Sequence, residues 1–269
     1  MTRAHSRARV LIVQPSLQPP GGGNAVAAWM VQALKDRHDV SILSWRPVEF
    51  EAMNAYYGTS IAPGDVTCSA VPASTRLPID ALPTGSVLLK ASLLFRHAKR
   101  IQDQYDVIVC GHNETDLGGR CVQYVHYPAR LRPRPDVDLR WYHFPVLLRP
   151  YYAMCERLAR FEPSRVHEAM TLANSTWTAD LVRRLYGLDR SVRVVHPPVT
   201  ADIQGRPWPG RQNGFVCIGR IAPEKELERV VRIIGRVRQQ VPDAHVHIIG
   251  SRGAMMYTRR IEALAKANR

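Results

Sequence analysis

The sequence predicts an α/β protein with one complete doubly wound domain, followed by a second α/β domain that looks incomplete. Three observations carry this reading. Short β-branched runs alternate with longer helical segments, and several of those runs are apolar throughout, as in a parallel sheet covered on both faces. A stretch dense in proline and glycine then separates two such series.

In order, Val10–Val13, Val40–Ser44, Val66–Val71, Asp106–Cys110, Cys121–His126, Met170–Ala173 and Val192–His196 read as strands. The segments Asn24–Lys35, Ser86–Gln102, Pro145–Phe161 and Thr176–Tyr186 are long enough for helices. This series forms a first domain over 1–200. A linker follows over 201–213, containing Gly205, Pro207, Pro209 and Gly210. The pattern restarts in 214–269 with strand Phe215–Ile218, a helix over Glu224–Gln240, strand Val246–Ile249 and a helix from about Ala254 to Ala267. In the first of these helices Leu227, Val230, Val231, Ile234, Val237 and Val241 make one apolar stripe, with Pro223 and two glutamates at its start. A parallel sheet of two strands leaves long edges, so the sequence reads as cut short inside its second domain.

Composition narrows the function. Of 269 residues, 45% are apolar and 22% charged, the balance of an ordinary globular protein. No apolar run reaches the ~18 residues of a membrane span, and the run after the basic N-terminus is too short for a signal peptide. A cytoplasmic chain is expected. The net charge of +14 invites a nucleic-acid reading, yet no helix-turn-helix, zinc-finger or RNP pattern supports one. The excess is uneven: residues 203–269 carry 13 basic against 5 acidic side chains. Five scattered cysteines with no C-x-x-C pair indicate neither a disulfide framework nor zinc. Cys110, Cys121 and Cys217 fall in strand-like runs and read as buried apolar residues. His245 and His247 share one strand face without a carboxylate or thiol at ligand spacing, and read as surface histidines.

Four clusters could carry chemistry. Gly21-Gly22-Gly23 lies after the first strand and before a helix, where backbone N–H groups can meet a phosphate, or where a flexible turn is all that is needed. It fits neither G-x-G-x-x-G nor a P-loop. His126, in Tyr124-Val-His-Tyr-Pro128, sits at a strand's C-terminal end, where open sheets bind ligands. A neutral imidazole there could hold a sugar hydroxyl or donate to a developing charge; a packed or capping histidine is the plainer alternative. Arg220 and Lys225, in Gly219-Arg-Ile-Ala-Pro-Glu-Lys225, flank a strand-to-helix turn and could converge on a diphosphate or simply be solvated. Asn174-Ser175-Thr176-Trp177-Thr178 opens a helix, and Asn174 or Ser175 is a natural N-cap.

The order of these clusters, with Val-His196-Pro-Pro-Val199 and Ile249-Gly250, resembles the family 4 (group 1) glycosyltransferases of the GT-B fold. The Tyr-Val-His-Tyr-Pro stretch, Tyr151-Tyr152 and the Asn174–Thr178 segment most resemble the α-1,2-mannosyltransferase branch that elongates lipid-linked oligosaccharides. The resemblance runs from Val10 to Gly250 and implies two Rossmann-like domains flanking a cleft. It also implies retaining transfer of a hexose from a nucleotide diphosphate sugar, GDP- or UDP-linked, to a glycan or lipid-linked acceptor, with no required metal. It makes Arg220 and Lys225 the partners of the leaving diphosphate. The Gly22 and Gly23 backbone would face phosphate and sugar, and His126 the reacting carbon. The family's Glu-x7-Glu motif is absent, since no two glutamates stand eight apart. A catalytically inactive remnant or a binding subunit is the alternative expectation. Two amphipathic stretches, Ser86–Gln102 and residues 140–160 with Arg140, Trp141, Tyr142 and Phe144, suit an anionic membrane surface as well as ordinary packing.

Overall fold

A computed structural model of the chain describes residues 7–82, 86–128, 145–187, 192–199, 205, 209–252 and 255–268. They fall into two compact units, with the chain passing from the first to the second at about residue 200. Most of the linker, including Ala201 and Pro207, lies outside the described residues, as do Arg140, Trp141, Tyr142 and Phe144.

The first unit is built on seven parallel strands: β1 (Arg9–Val13), β2 (Asp39–Ser44), β3 (Thr67–Ala70), β4 (Val107–Cys110), β5 (Cys121–Val125), β6 (Met170–Ala173) and β7 (Arg193–Val194). Their order is β3-β2-β1-β4-β5-β6-β7. Residues alternate between faces along a strand, and here both faces are covered. Val10 and Ile12 of β1 pack with Val40, Ile42, Ala28 and Val31, while Leu11 and Val13 pack with Leu43, Leu94, Phe95 and Ile108. The unbroken apolar runs of the sequence have this cause.

The helices of this unit are α1 (Gly22–Leu34), α2 (Phe50–Tyr57), α3 (Ala73–Asp80), α4 (Val87–Ile101), α5 (Pro145–Ala159), α6 (Pro163–Glu168) and α7 (Thr176–Tyr186). The three short ones, α2, α3 and α6, are not evident from periodicity. Helix α2 forms because Met53 and Tyr57 drop into the core, and α3 holds Pro78 within its last turn. At the other extreme, α7 matches its sequence signals: Ser175 Oγ accepts from Thr178 N at 3.2 Å, and Gly187 closes the helix at φ 58°. The last strand shrinks to Arg193–Val194, pairing only with Leu172 and Ala173 at the sheet's edge.

The second unit has β8 (Gly214–Ile218) and β9 (His245–Ile249) in parallel, with α8 (Leu227–Val237) and α9 (Met255–Ala267) packed through Leu227, Val231, Tyr257 and Ile261. The single helix expected from Glu224 is divided. Pro223–Lys225 makes one 3-10 turn, Glu226 turns left-handed at φ 48°, and α8 starts only at Leu227. The proline begins that short turn, not the long helix. Of the cysteines expected inside strands, Cys110 is buried, while Cys121 and Cys217 are half-buried. Burial pushes the Cys110 thiol far up and the Cys121 thiol up to about 12, so neither is a thiolate at neutral pH.

Candidate functional site

Strand order locates the first site. β1 lies between β2 and β4, so the chain winds to opposite sides of it, and the carboxyl ends of β1 and β4 open a crevice between the diverging connections. The segments leaving β1, β4, β5 and β6 at that end carry Gly23, Gly111, His126 and Asn174.

The glycine cluster does not follow β1 directly. Residues 14–20 intervene, and Gly22 and Gly23 form the first turn of α1 with Gly21 as N-cap. The N–H groups of a first helical turn have no acceptor within the helix. No side chain caps this one, and the position of a Gly22 Cβ has nothing within 4 Å. Gly23 is different: a Cβ there would lie 3.2 Å from His126 Nε2. The structure therefore brings Gly23 and His126 into contact across β4.

His126 is held from four directions. Its Nε2 lies 3.1 Å from the Gly111 carbonyl, which can only accept, so Nε2 carries the proton in the neutral ring. Its backbone N–H donates to Asn113 Oδ1 at 2.9 Å, its carbonyl accepts from Asn174 Nδ2 at 3.0 Å, and its ring meets Tyr124 edge-on at 5.0 Å. Burial lowers its pKa, and the Gly111 bond only partly offsets this, so the imidazole is neutral at pH 7. With Nε2–H committed, Nδ1 is an acceptor. Of the two roles open to it from sequence, this geometry suits holding a hydroxyl better than donating to charge.

Supporting residues escaped the sequence reading. Asn113 sits at φ 62° and takes both His126 N and Tyr127 N on one oxygen. Gln14 is buried; its Nε2 donates to Asn24 Oδ1 at 3.0 Å, and Asn24 Nδ2 donates to the Gln18 carbonyl at 2.7 Å. That chain of bonds orients both amides and turns Gln14 Oε1 toward Gly111, where a Cβ would come within 2.7 Å. The Gly111-x-Asn113 pair after a strand was the available signal, since both residues accept unusual turns.

The second unit holds Arg220 and Lys225. Gly219 N donates to Ile249 O at 2.9 Å, and a Cβ on Gly250 would sit 1.9 Å from the Gly219 carbonyl oxygen, so the ends of β8 and β9 touch backbone to backbone. The exposed Lys225 folds back until its Cε lies 3.7 Å from the Cβ position of Gly219. The Arg220 guanidinium is largely exposed and ion-paired with Glu224, one turn on. Both cations thus border one glycine turn, an arrangement able to take a diphosphate. His245 and His247 pack ring to edge at 5.1 Å on β9. Among the described residues, no three His, Cys, Asp or Glu side chains gather as metal ligands.

Residues 20–203, well over half of the chain, match the family described as Glycosyltransferase Family 4. No curated protein matches the sequence. Among solved structures the chain is similar to a glycosyltransferase from Rickettsia africae ESF-5, with 13% identity and a TM-score of 0.55 over 98% of this chain and 66% of that one. It is also similar to WaaG, a glycosyltransferase involved in lipopolysaccharide biosynthesis (13% identity, TM-score 0.59, 96% and 67% covered). A third is S. aureus TarM, a mutant in complex with fondaparinux, α-GlcNAc-glycerol and UDP (8% identity, TM-score 0.56, 97% and 75% covered). The chain spans about two thirds of the first two. At such identities these likenesses speak for the fold alone, α/β of the GT-B type. The family match is independent of them, and with it the chain belongs to glycosyltransferase family 4.

Proposed function

We propose that this protein transfers a hexose, mannose first among the candidates, from a nucleotide diphosphate sugar to a glycan or lipid-linked acceptor with retention at the anomeric carbon. The observation that carries the proposal is the packing of a neutral His126 against Gly23 and Gly111 at the carboxyl ends of the strands. The sugar belongs to this first unit, where Nδ1 of His126 accepts from a hydroxyl and the first turn of α1 offers backbone N–H groups. The diphosphate belongs to Arg220 and Lys225 of the second unit. Their positive charges replace a required metal in stabilising the leaving group as the glycosyl–phosphate bond breaks. TarM was solved with UDP; GDP and UDP both remain donors to test here. Five cysteines with no disulfide among them suit a reducing cytoplasm.

Residues at one end of the first unit support contact with an anionic membrane. Leu89 N meets Tyr151 OH, and Lys99 Nζ meets the Arg160 carbonyl, so α4 and α5 run side by side in the same direction at a constant offset. Their N-terminal turns expose Val87, Val146 and Leu147, and Leu77 and Leu82 lie close by, because Lys90 of α4 pairs with Asp80 of α3 at 2.7 Å. Arg46, also on Asp80, and the exposed Arg149 add positive charge. No described helix is long and apolar enough to cross a membrane.

Transfer assays with UDP- and GDP-hexoses and lipid-linked or soluble glycans test the function. Release of nucleoside diphosphate with an α-configured product is expected. Release from no donor would overturn it, and donor binding without turnover would favour an inactive binding subunit. Co-sedimentation with vesicles should rise with anionic lipid; insensitivity to lipid charge would remove the membrane contact.

A further inference from the structure

We infer that Trp177, stacked on Tyr127, is a platform for a pyranose ring of the acceptor, one strand away from His126. The inference rests on the glycosyltransferase reading above and adds a binding subsite to it. Asn174 N donates to the Val125 carbonyl at 3.2 Å, so the segments leaving β5 and β6 emerge side by side, about 5 Å apart as neighbouring strands are. His126-Tyr127 leaves the first strand and Asn174 to Trp177 leaves the second. The two rings stack at 6.1 Å with 27° between their planes. Trp177 nonetheless remains 58% exposed, so one indole face is covered by Tyr127 and much of the rest is open.

A single exposed apolar side chain needs no occupant by itself. Here the location is not casual. Trp177 lies in the first turn of α7, fixed by the Ser175 cap at 3.2 Å. Tyr127 is fixed by Asn113, the same residue that holds His126. The backbones that carry both rings are thus held in place, and the stack between the rings sets their orientation. An indole face is electron-rich. A pyranose presents a flat patch of slightly positive C–H bonds to such a face, while its hydroxyl groups point outward to polar neighbours. The platform and His126 leave adjacent strands at the same end of the sheet, which suits an acceptor ring bound beside the proposed sugar site.

The test uses saturation-transfer NMR on the wild-type chain, Trp177→Ala and Trp177→Tyr, with methyl glycosides of mannose, glucose and N-acetylglucosamine as probes. Calorimetric titration with UDP and GDP runs in parallel. At least one glycoside should receive saturation from the wild type. Affinity should fall about tenfold in Trp177→Ala and recover in Trp177→Tyr, with nucleotide binding unchanged in both. Three results would overturn the inference: no transfer to any glycoside, equal binding by Trp177→Ala, or loss of nucleotide binding in Trp177→Ala, which would mark a base subsite. Glycoside binding that depends on Trp177 in a chain that turns over no donor would leave the platform standing and sink the transferase reading instead.

Discussion

At the residue scale, the neutral state of His126 has a direct consequence. Its folded pKa lies below the unfolded value of ~6.5 because burial disfavours the charged ring. The unfolded chain therefore binds the proton more readily between those two values. The stabilising contribution is complete above ~6.5 and is lost as pH falls toward the lowered folded pKa. Histidine NMR titration should show the His126 imidazole titrating below the ordinary value of ~6.5, and His126→Gln should remove that signal. Gly23→Ala puts a methyl 3.2 Å from Nε2, so the ring must give by a few tenths of an ångström against the Gly111 carbonyl that holds it. In that variant the His126 titration should shift, and kcat/KM should fall while global stability changes little. Replacing Arg220 or Lys225 by methionine should lower kcat/KM by about 100-fold, as expected for a donor that stabilises developing charge. Unchanged rates would remove the diphosphate assignment.

At the scale of elements, a buried ion pair ties three segments together. The Asp116 side chain is wholly buried; it pairs with Lys99 of α4 and accepts from Gly118 N and Glu162 N, each at 2.9 Å. Lys99 also donates to the Arg160 carbonyl ahead of α6. Removing one partner leaves the other's charge buried and uncompensated, so Lys99→Met should cost about 3 kcal/mol in urea unfolding, and Lys99→Met with Asp116→Asn together less. A second case is Gly250, whose φ of 157° and 1.9 Å approach to the Gly219 oxygen leave no room for a side chain. Gly250→Ala should destabilise the second unit by at least ~2 kcal/mol, because the obstacle is backbone and cannot swing away. A melting temperature equal to the wild type's would show that the two strand ends are farther apart.

For the whole molecule, the two units differ in how much they enclose. The first buries both faces of its sheet, with Ile12, Leu11, Val13, Ile42 and Leu43 all at 0% exposure. The second has one small core, and Phe215, Val216, Ile218 and Ile249 on its two strands are more than half exposed. Local opening free energies follow buried apolar contact. Amide exchange should therefore be slowest in β1 and β4 and markedly faster in β8 and β9; equal protection in both would mean that the second sheet is covered in solution.

What the sequence determined by itself was whatever depends on local pattern. The runs of β1, β2 and β4, the long helices α1, α4 and α7, and the Ser175 cap were all legible, because alternation, period and capping are properties of neighbouring residues. The family resemblance was legible too, and the family match over residues 20–203 agrees with it. Tertiary structure decided the rest. Helices α2, α3 and α6 are too short to hold without the core they pack on. Glu226 breaks the expected helix at a left-handed turn that no residue type announced. The placement of His126 depended on Gly23 of α1 and on Gly111 and Asn113 after β4, which the β1-β4-β5 strand order brings to it. A sequence can mark a histidine at a strand's end; which nitrogen holds the proton is set by the carbonyl across from it.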